Sequence, residues 1–277
     1  MSSVTAAIKT EKFKTLPVLA EAAIRELAPQ VYTKQAYTST SKKYTFIPTH
    51  QIIKDMKELG WQVCSAQSMK STDKIQQQYG KHLIKFFNPN IFIEGPNNTV
   101  EAYPQIVVMN NHRGWGKFKF EIGVFRLVCS NGMVVKDKDM GSFVMRHLGY
   151  SFDELKVLVN QAVEALPTIV TKINKFSERV MTHAEQAAFA TAALKVRLGE
   201  DRVCTDQEIR QVLQSTRKED DGSSLWRVFN RVQEHLLNGG FETTTTAGTF
   251  RKVRKISNML KNVELNQQLW ALTSQYS

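Results

Sequence analysis

The chain has 277 residues, 42% hydrophobic and 23% charged, which is enough apolar content for a full core and unlike a disordered composition. No apolar run approaches the roughly 20 residues that cross a bilayer, the opening MSSVTAAIKTEKFK lacks the apolar core of a secretory signal, and three cysteines far apart (Cys64, Cys129, Cys204) do not make a disulfide framework. A reduced, cytosolic protein with no membrane partner is expected.

The net charge of +11 is unevenly placed: residues 1–150 hold 20 Lys+Arg against 11 Asp+Glu, and residues 151–277 hold 17 against 15. In the second half, five basic residues (Arg251, Lys252, Arg254, Lys255, Lys261) crowd into 239–262 against Glu242 alone. Concentrated positive charge attracts polyanions, because each neutralised phosphate releases counterions.

In chain order, the segment ending at Ala28 reads as a helix stopped by Pro29. YTFIP, ending at Pro48, reads as a strand, and 50–60 as a short amphipathic helix with Ile52, Ile53, Met56 and Leu59 inward. Strands are predicted over 61–67 and 81–87, with the polar stretch 68–80 as a flexible hairpin loop. Residues 88–98, rich in Asn, Pro and Gly, read as turns. Strands follow at 105–110 and 116–129, and Asn131-Gly132 fits a two-residue type I′ turn. After Tyr150 the period becomes helical. Ser151-x-x-Glu154, Thr182-x-x-Glu185 and Thr205-x-x-Glu208 are capping boxes. They open helices expected over 151–166, resuming beyond a kink or break at Pro167, over 183–198 and over 206–215. Ser223–Asn238 is amphipathic, with Leu225, Val228, Phe229, Val232 and Leu236 inward and Gly239-Gly240 as its stop. A last helix spans 260–272. The expected class is α+β: a β-rich portion, 1–150, and a helical portion, 151–277, integrated as one domain built on an antiparallel sheet.

The stretch 103–135 concentrates the unusual residues at strand ends, where a sheet presents side chains to a ligand. Asn110-Asn111-His112-Arg113-Gly114 closes one strand. In the next, Phe118, Phe120, Ile122 and Val124 alternate with Lys117, Lys119 and Glu121. A bulge at Gly123 would slip the phase and return Arg126 to the side of Lys117 and Lys119 as a cationic row, with Arg113 nearby. The second basic region is TTTTAGTFRKVRK (243–255), read as a long loop whose Thr hydroxyls and cations (Arg251, Lys252, Arg254, Lys255) suit phosphates. Trp115, Phe118 and Tyr79 are aromatic residues near cations that bases could stack on.

Catalytic readings are poorly supported. His112 with Cys129 resembles a base and thiol, but a cysteine before an Asn-Gly turn is more simply structural. The six histidines (50, 82, 112, 147, 183, 235) show no zinc spacing. Asp137, Asp139, Asp153 and Glu154 could be imagined around magnesium, yet Lys136 and Lys138 alternate with the first two as in a solvated hairpin. No Walker-type glycine loop exists, and Gly114-x-Gly116 is too short to replace one. No metal or cofactor is expected.

FRLVCSNGM (125–133), the Asn110–His112 strand end, YTFIPT (44–49), SLWRVFNRVQEHLLNGG (224–240) and VELNQQLWAL (263–272) together resemble the phage- and plasmid-borne family grouped as domain of unknown function 932, which includes prophage proteins of enteric bacteria. One departure is that Asn111-His112-Arg113-Gly114 stands where the family pattern leads one to expect Ser-His-Asp-Gly. The acidic residue has become basic, which weakens a metal or acid–base role there. Residence on mobile elements implies DNA metabolism or conflict with the host. The expected function is therefore non-enzymatic nucleic-acid binding, to single-stranded DNA in annealing or protection, with a homo-oligomer expected. The alternative is an interaction protein that inhibits a host defence or repair enzyme. With no basic recognition helix in a helix-turn-helix, sequence-specific duplex reading is disfavoured.

Overall fold

A computed structural model describes residues 16–41, 44–69, 71–94, 100–114, 118–126, 132–135 (backbone), 151–244 and 249–277. The protein is α+β, with an antiparallel sheet in the first half and helices in the second. It divides into two compact units, and the break falls at Pro167–Thr168, inside a helix.

The first unit is organised by a sheet of six described strands: β1 (Gln62–Ser68), β2 (His82–Phe87), β3 (Ile93–Glu94), β4 (Val100–Asn110), β5 (Lys119–Arg126) and β6 (Gly132–Val135). Their order is β1-β2-β4-β5-β6, with β3 beside β4. β4 is buried along both faces from Ala102 to Asn110, and most of that stretch is apolar, with Gln105 and Asn110 as its buried polar residues. The helices α1 (Glu21–Leu27) and α2 (Thr49–Glu58) pack on β1. α2 buries Ile52, Ile53 and Met56, as its periodicity predicts.

Several expectations are corrected here. Residues 44–48 join no ladder among the described residues. Ile47 is buried and its carbonyl accepts a hydrogen bond from Asn110 Nδ2 at 2.8 Å, so this segment docks by side chains and one cap, not by pairing. The polar stretch 68–80 contains a helix, α3 (Lys74–Tyr79), opened by Asp73, whose carboxylate accepts from the Ile75 amide at 2.8 Å. α3 buries no residue, so no apolar period could reveal it. No bulge occurs at Gly123: pairing runs unbroken from Ala102↔Arg126 to Met109↔Lys119, and register shifts lie instead in β1, between Val63 and Ser65, and in β3, between Ile93 and Glu94.

In the second unit, α4 (Phe152–Glu178), which begins in the first, is not ended by Pro167. α5 (His183–Leu198), α6 (Asp206–Leu213), α7 (Leu225–Asn238) and α8 (Met259–Thr273) follow, and α7 is joined to α8 through a hairpin of β7 (Glu242–Thr244) and β8 (Phe250–Lys252). The capping boxes at Thr182 and Thr205 both form. α7 buries its predicted apolar stripe against α5, α6 and α8, where Phe229 meets Trp270 edge-on at 6.3 Å. Buried Gln233 and Asn266 hydrogen-bond each other at 2.6 Å, which fixes the register between α7 and α8. No helix among the described residues is long and apolar enough to cross a membrane.

Candidate nucleic-acid interface

The strand-end turn of the first unit points inward. Asn110 Nδ2 donates to Thr49 Oγ1 at 2.9 Å, and that hydroxyl lies 2.7 Å from His82 Nε2 and 3.4 Å from His112 Nε2. His82 Nδ1 is 3.1 Å from the Gly80 carbonyl, so its proton belongs on Nδ1 and Nε2 accepts from Thr49. Burial pushes His82 down to about 4. Burial, then the neighbouring His82 and His50, pushes His112 down to about 3. The turn's backbone is engaged as well, since Tyr79 accepts from the His112 amide, Tyr37 donates to the His112 carbonyl, and the Tyr44 hydroxyl donates to Asn111 at 2.7 Å. Buried histidines whose ring nitrogens, His112 Nδ1 excepted, meet structural partners make this turn part of the scaffold.

The predicted cationic row does not assemble. Without a bulge, alternation places Arg126 on the side of Phe120, Ile122 and Val124; it is 3% exposed and its Nε lies 2.7 Å from Glu101. Arg113 pairs with Asp73 at 3.7 Å. Lys119 is exposed on the other side, while Lys117 lies outside the described residues. Of the aromatic candidates, Phe118 is buried and Tyr79 packs on Tyr37 at 5.3 Å, with Trp115 outside the described residues.

The second basic region does assemble. The end of α5, β8 and the segment leading into α8 enclose a groove of about 630 Å³, lined by Arg197, Arg251, Lys252, Arg254, Lys255 and Lys261 with no carboxylate. Ser257 and Asn258 complete its wall at the start of α8, where Asn258 caps the helix by accepting from the Leu260 and Lys261 amides. A helix N-terminus adds partial positive charge to that wall. The side chains of Arg251, Lys252, Arg254, Lys255 and Lys261 are exposed and form no ion pair with a described residue. Elsewhere Arg25, Arg113, Arg126, Arg179, Arg202 and Arg217 each hold a carboxylate.

The groove is held by backbone and by one half-buried arginine. Gly240 donates to the Val253 carbonyl, Val253 to Phe241 and Ile256 to Leu237, each at 2.9 Å. Gly239 has φ 68°, and a Cβ there would sit 2.4 Å from the Val253 carbonyl oxygen, so close approach of the basic segment requires glycine. Arg197 donates to the Leu236 and Arg254 carbonyls, both at 3.1 Å, bridging α7 to the basic segment. Burial, and then the charge of Arg251, lowers its pKa. The hairpin is anchored by Thr243, which is buried and donates to Glu208 Oε1 at 2.6 Å, beside the Arg202–Glu208 ion pair. The segment predicted as a long loop is thus a hairpin strand and a pinned connection in all its described parts. Arg197 escaped the sequence reading because it lies far from 251–255 in the chain, at the end of a helix whose apolar pattern drew the attention.

Of the catalytic alternatives, Cys129, Asp137 and Asp139 lie outside the described residues. Among those described, no group of three or more His, Cys, Asp or Glu side chains is placed to hold a metal ion. Burial pushes the Cys64 thiol up to about 11, the opposite of an activated nucleophile.

An α+β chain with a carboxylate-free basic groove is the class of protein that the geometry defines. By sequence, the chain belongs to the family described as "Domain of unknown function (DUF932)", whose model matches residues 36–270 and so spans the YTFIPT, FRLVCSNGM and SLWRVFNRVQEHLLNGG segments. It is similar to the UPF0380 proteins YafZ and YfjQ of Escherichia coli (strain K12), each 27% identical over 258 residues that cover 89% of this chain and 87% of the relative. No solved structure matches it.

Proposed function

We propose that this is a non-enzymatic nucleic-acid-binding protein of a mobile element, acting in the bacterial cytoplasm to hold single-stranded DNA during annealing or protection. The observation that carries the reading is the groove of six cations without a carboxylate, in a protein whose other described arginines are repeatedly paired. Uncompensated like charges repel one another, and a polyanion relieves that repulsion while its counterions are released. The groove lies on a pinned backbone, so its cations are presented together.

Fluorescence anisotropy with unrelated oligonucleotides over a range of salt tests it. Binding should be largely independent of sequence, and log affinity should fall with log salt at a slope of roughly −4 if six phosphates of a single strand are neutralised. Replacing Arg251, Lys252, Arg254 and Lys255 together with Ser should flatten the slope by about three units and leave the fold intact, since all four side chains are exposed. Absence of binding at low salt would sink the reading and turn attention to an acidic protein partner.

A further inference from the structure

We infer that Phe250 is a base-stacking residue and that the groove therefore takes nucleic acid with unpaired bases in preference to duplex. The inference rests on the polyanion reading above and names the residue through which single strands would be preferred. Among the described residues, Phe250 is the one exposed aromatic side chain, at 71%. Every other described Phe, Tyr or Trp is buried or half-buried.

Its position puts that ring at the end of the groove: Phe250 opens β8 directly before Arg251 and Lys252, which line the groove, and lies roughly 7 Å along the strand from Lys252 without itself being part of the lining. Arg251 stands between them in sequence and lines the groove as well. Across the ladder Phe250 faces half-buried Thr244, so its described cross-strand neighbour is not an apolar partner of its own size. A cation that takes a phosphate and a ring two residues away are within the reach of one nucleotide. Every base has a π-face, so stacking of this kind adds affinity without choosing a sequence. In a duplex those faces are covered by neighbouring base pairs, and only the backbone remains for the groove. The cations thus hold either form, and the ring separates them.

The test uses the full chain and three probes with the same number of phosphates: oligo-dT, an oligomer of abasic sites, and a duplex. The parent should bind oligo-dT roughly 5- to 100-fold more tightly than the abasic strand. Phe250→Ala should bring oligo-dT down to the abasic level and leave abasic binding and the salt slope unchanged. Phe250→Trp should restore the difference. If the parent binds oligo-dT and the abasic strand equally, or Phe250→Ala keeps the preference, the inference is overturned while the polyanion reading stands. Should Phe250→Ala lose affinity for all three probes alike, Phe250→Trp decides: restored preference for bases supports stacking, and its absence overturns it. Failure of the parent to bind any probe removes the polyanion reading and the inference with it.

Discussion

Arg126 shows how far a cation's surroundings govern its meaning. Its guanidinium is 3% exposed and meets Glu101, itself partly covered, at 2.7 Å. Removing Arg126 leaves the half-buried Glu101 carboxylate without its counterpart and empties the space of a buried side chain, which together cost more than the pair itself contributes. Arg126→Ala should therefore destabilise the protein by about 3 kcal/mol, read as a lower urea midpoint, and leave the affinity of the remaining folded protein for oligonucleotides unchanged. A variant with parental stability and weakened binding would return Arg126 to the ligand surface. The misreading had a specific source. Phe125 and Arg126 break a simple alternation, and a bulge at Gly123 rescues the pattern on paper. The sheet needs no rescue, because Phe125 packs against an apolar cluster of Phe87, Tyr103 and Leu16.

At the scale of elements, legibility tracked locality. The caps at Thr182 and Thr205, the start and stop of α5, and the buried stripe of α7 depend on residues within a turn or two, and the sequence pattern located them. Residues 44–48 escaped because their conformation depends on a distant partner, Asn110, which reaches the Ile47 carbonyl; α3 escaped although its Asp73 cap is local, because it has no apolar face. The basic segment was read correctly in composition and wrongly in form, since the bonds that pin it come from 237–241. Gly239 and Gly240 make that dependence measurable. Gly239→Ala would combine a positive φ with a Cβ 2.4 Å from a carbonyl oxygen, and should destabilise by roughly 2–3 kcal/mol. Gly240 has φ 93° but nothing within 4 Å of a Cβ, so Gly240→Asn should stay below about 1 kcal/mol in the same denaturation experiment. Equal losses would mean that the approach of the basic segment does not set the requirement.

For the molecule as a whole, the buried histidine pair sets an acid limit. Folding holds His82 near 4 and His112 near 3, both below the ordinary 6.5, so the unfolded chain takes up protons that the folded one refuses. The stabilisation is complete above pH 6.5 and is lost as pH falls toward those values, at up to roughly 1.4 kcal/mol per pH unit for each histidine. Urea midpoints should decline between pH 6.5 and 5, before carboxylates begin to titrate, and His82→Gln should flatten that decline. A level profile across the window would show that the pair does not titrate on unfolding.

The carboxylate-free groove has a cost that falls on the free protein. Its cations are brought together by folding, when Arg197 and the 253–256 backbone bonds form, and not by a ligand's arrival. Their mutual repulsion therefore weighs against the native state from the outset. Dissolved salt screens that repulsion and steadies the empty fold; under the function proposed above, the same salt would also compete with the polyanion and loosen the complex. The conditions in which this protein keeps best are those in which it should bind least.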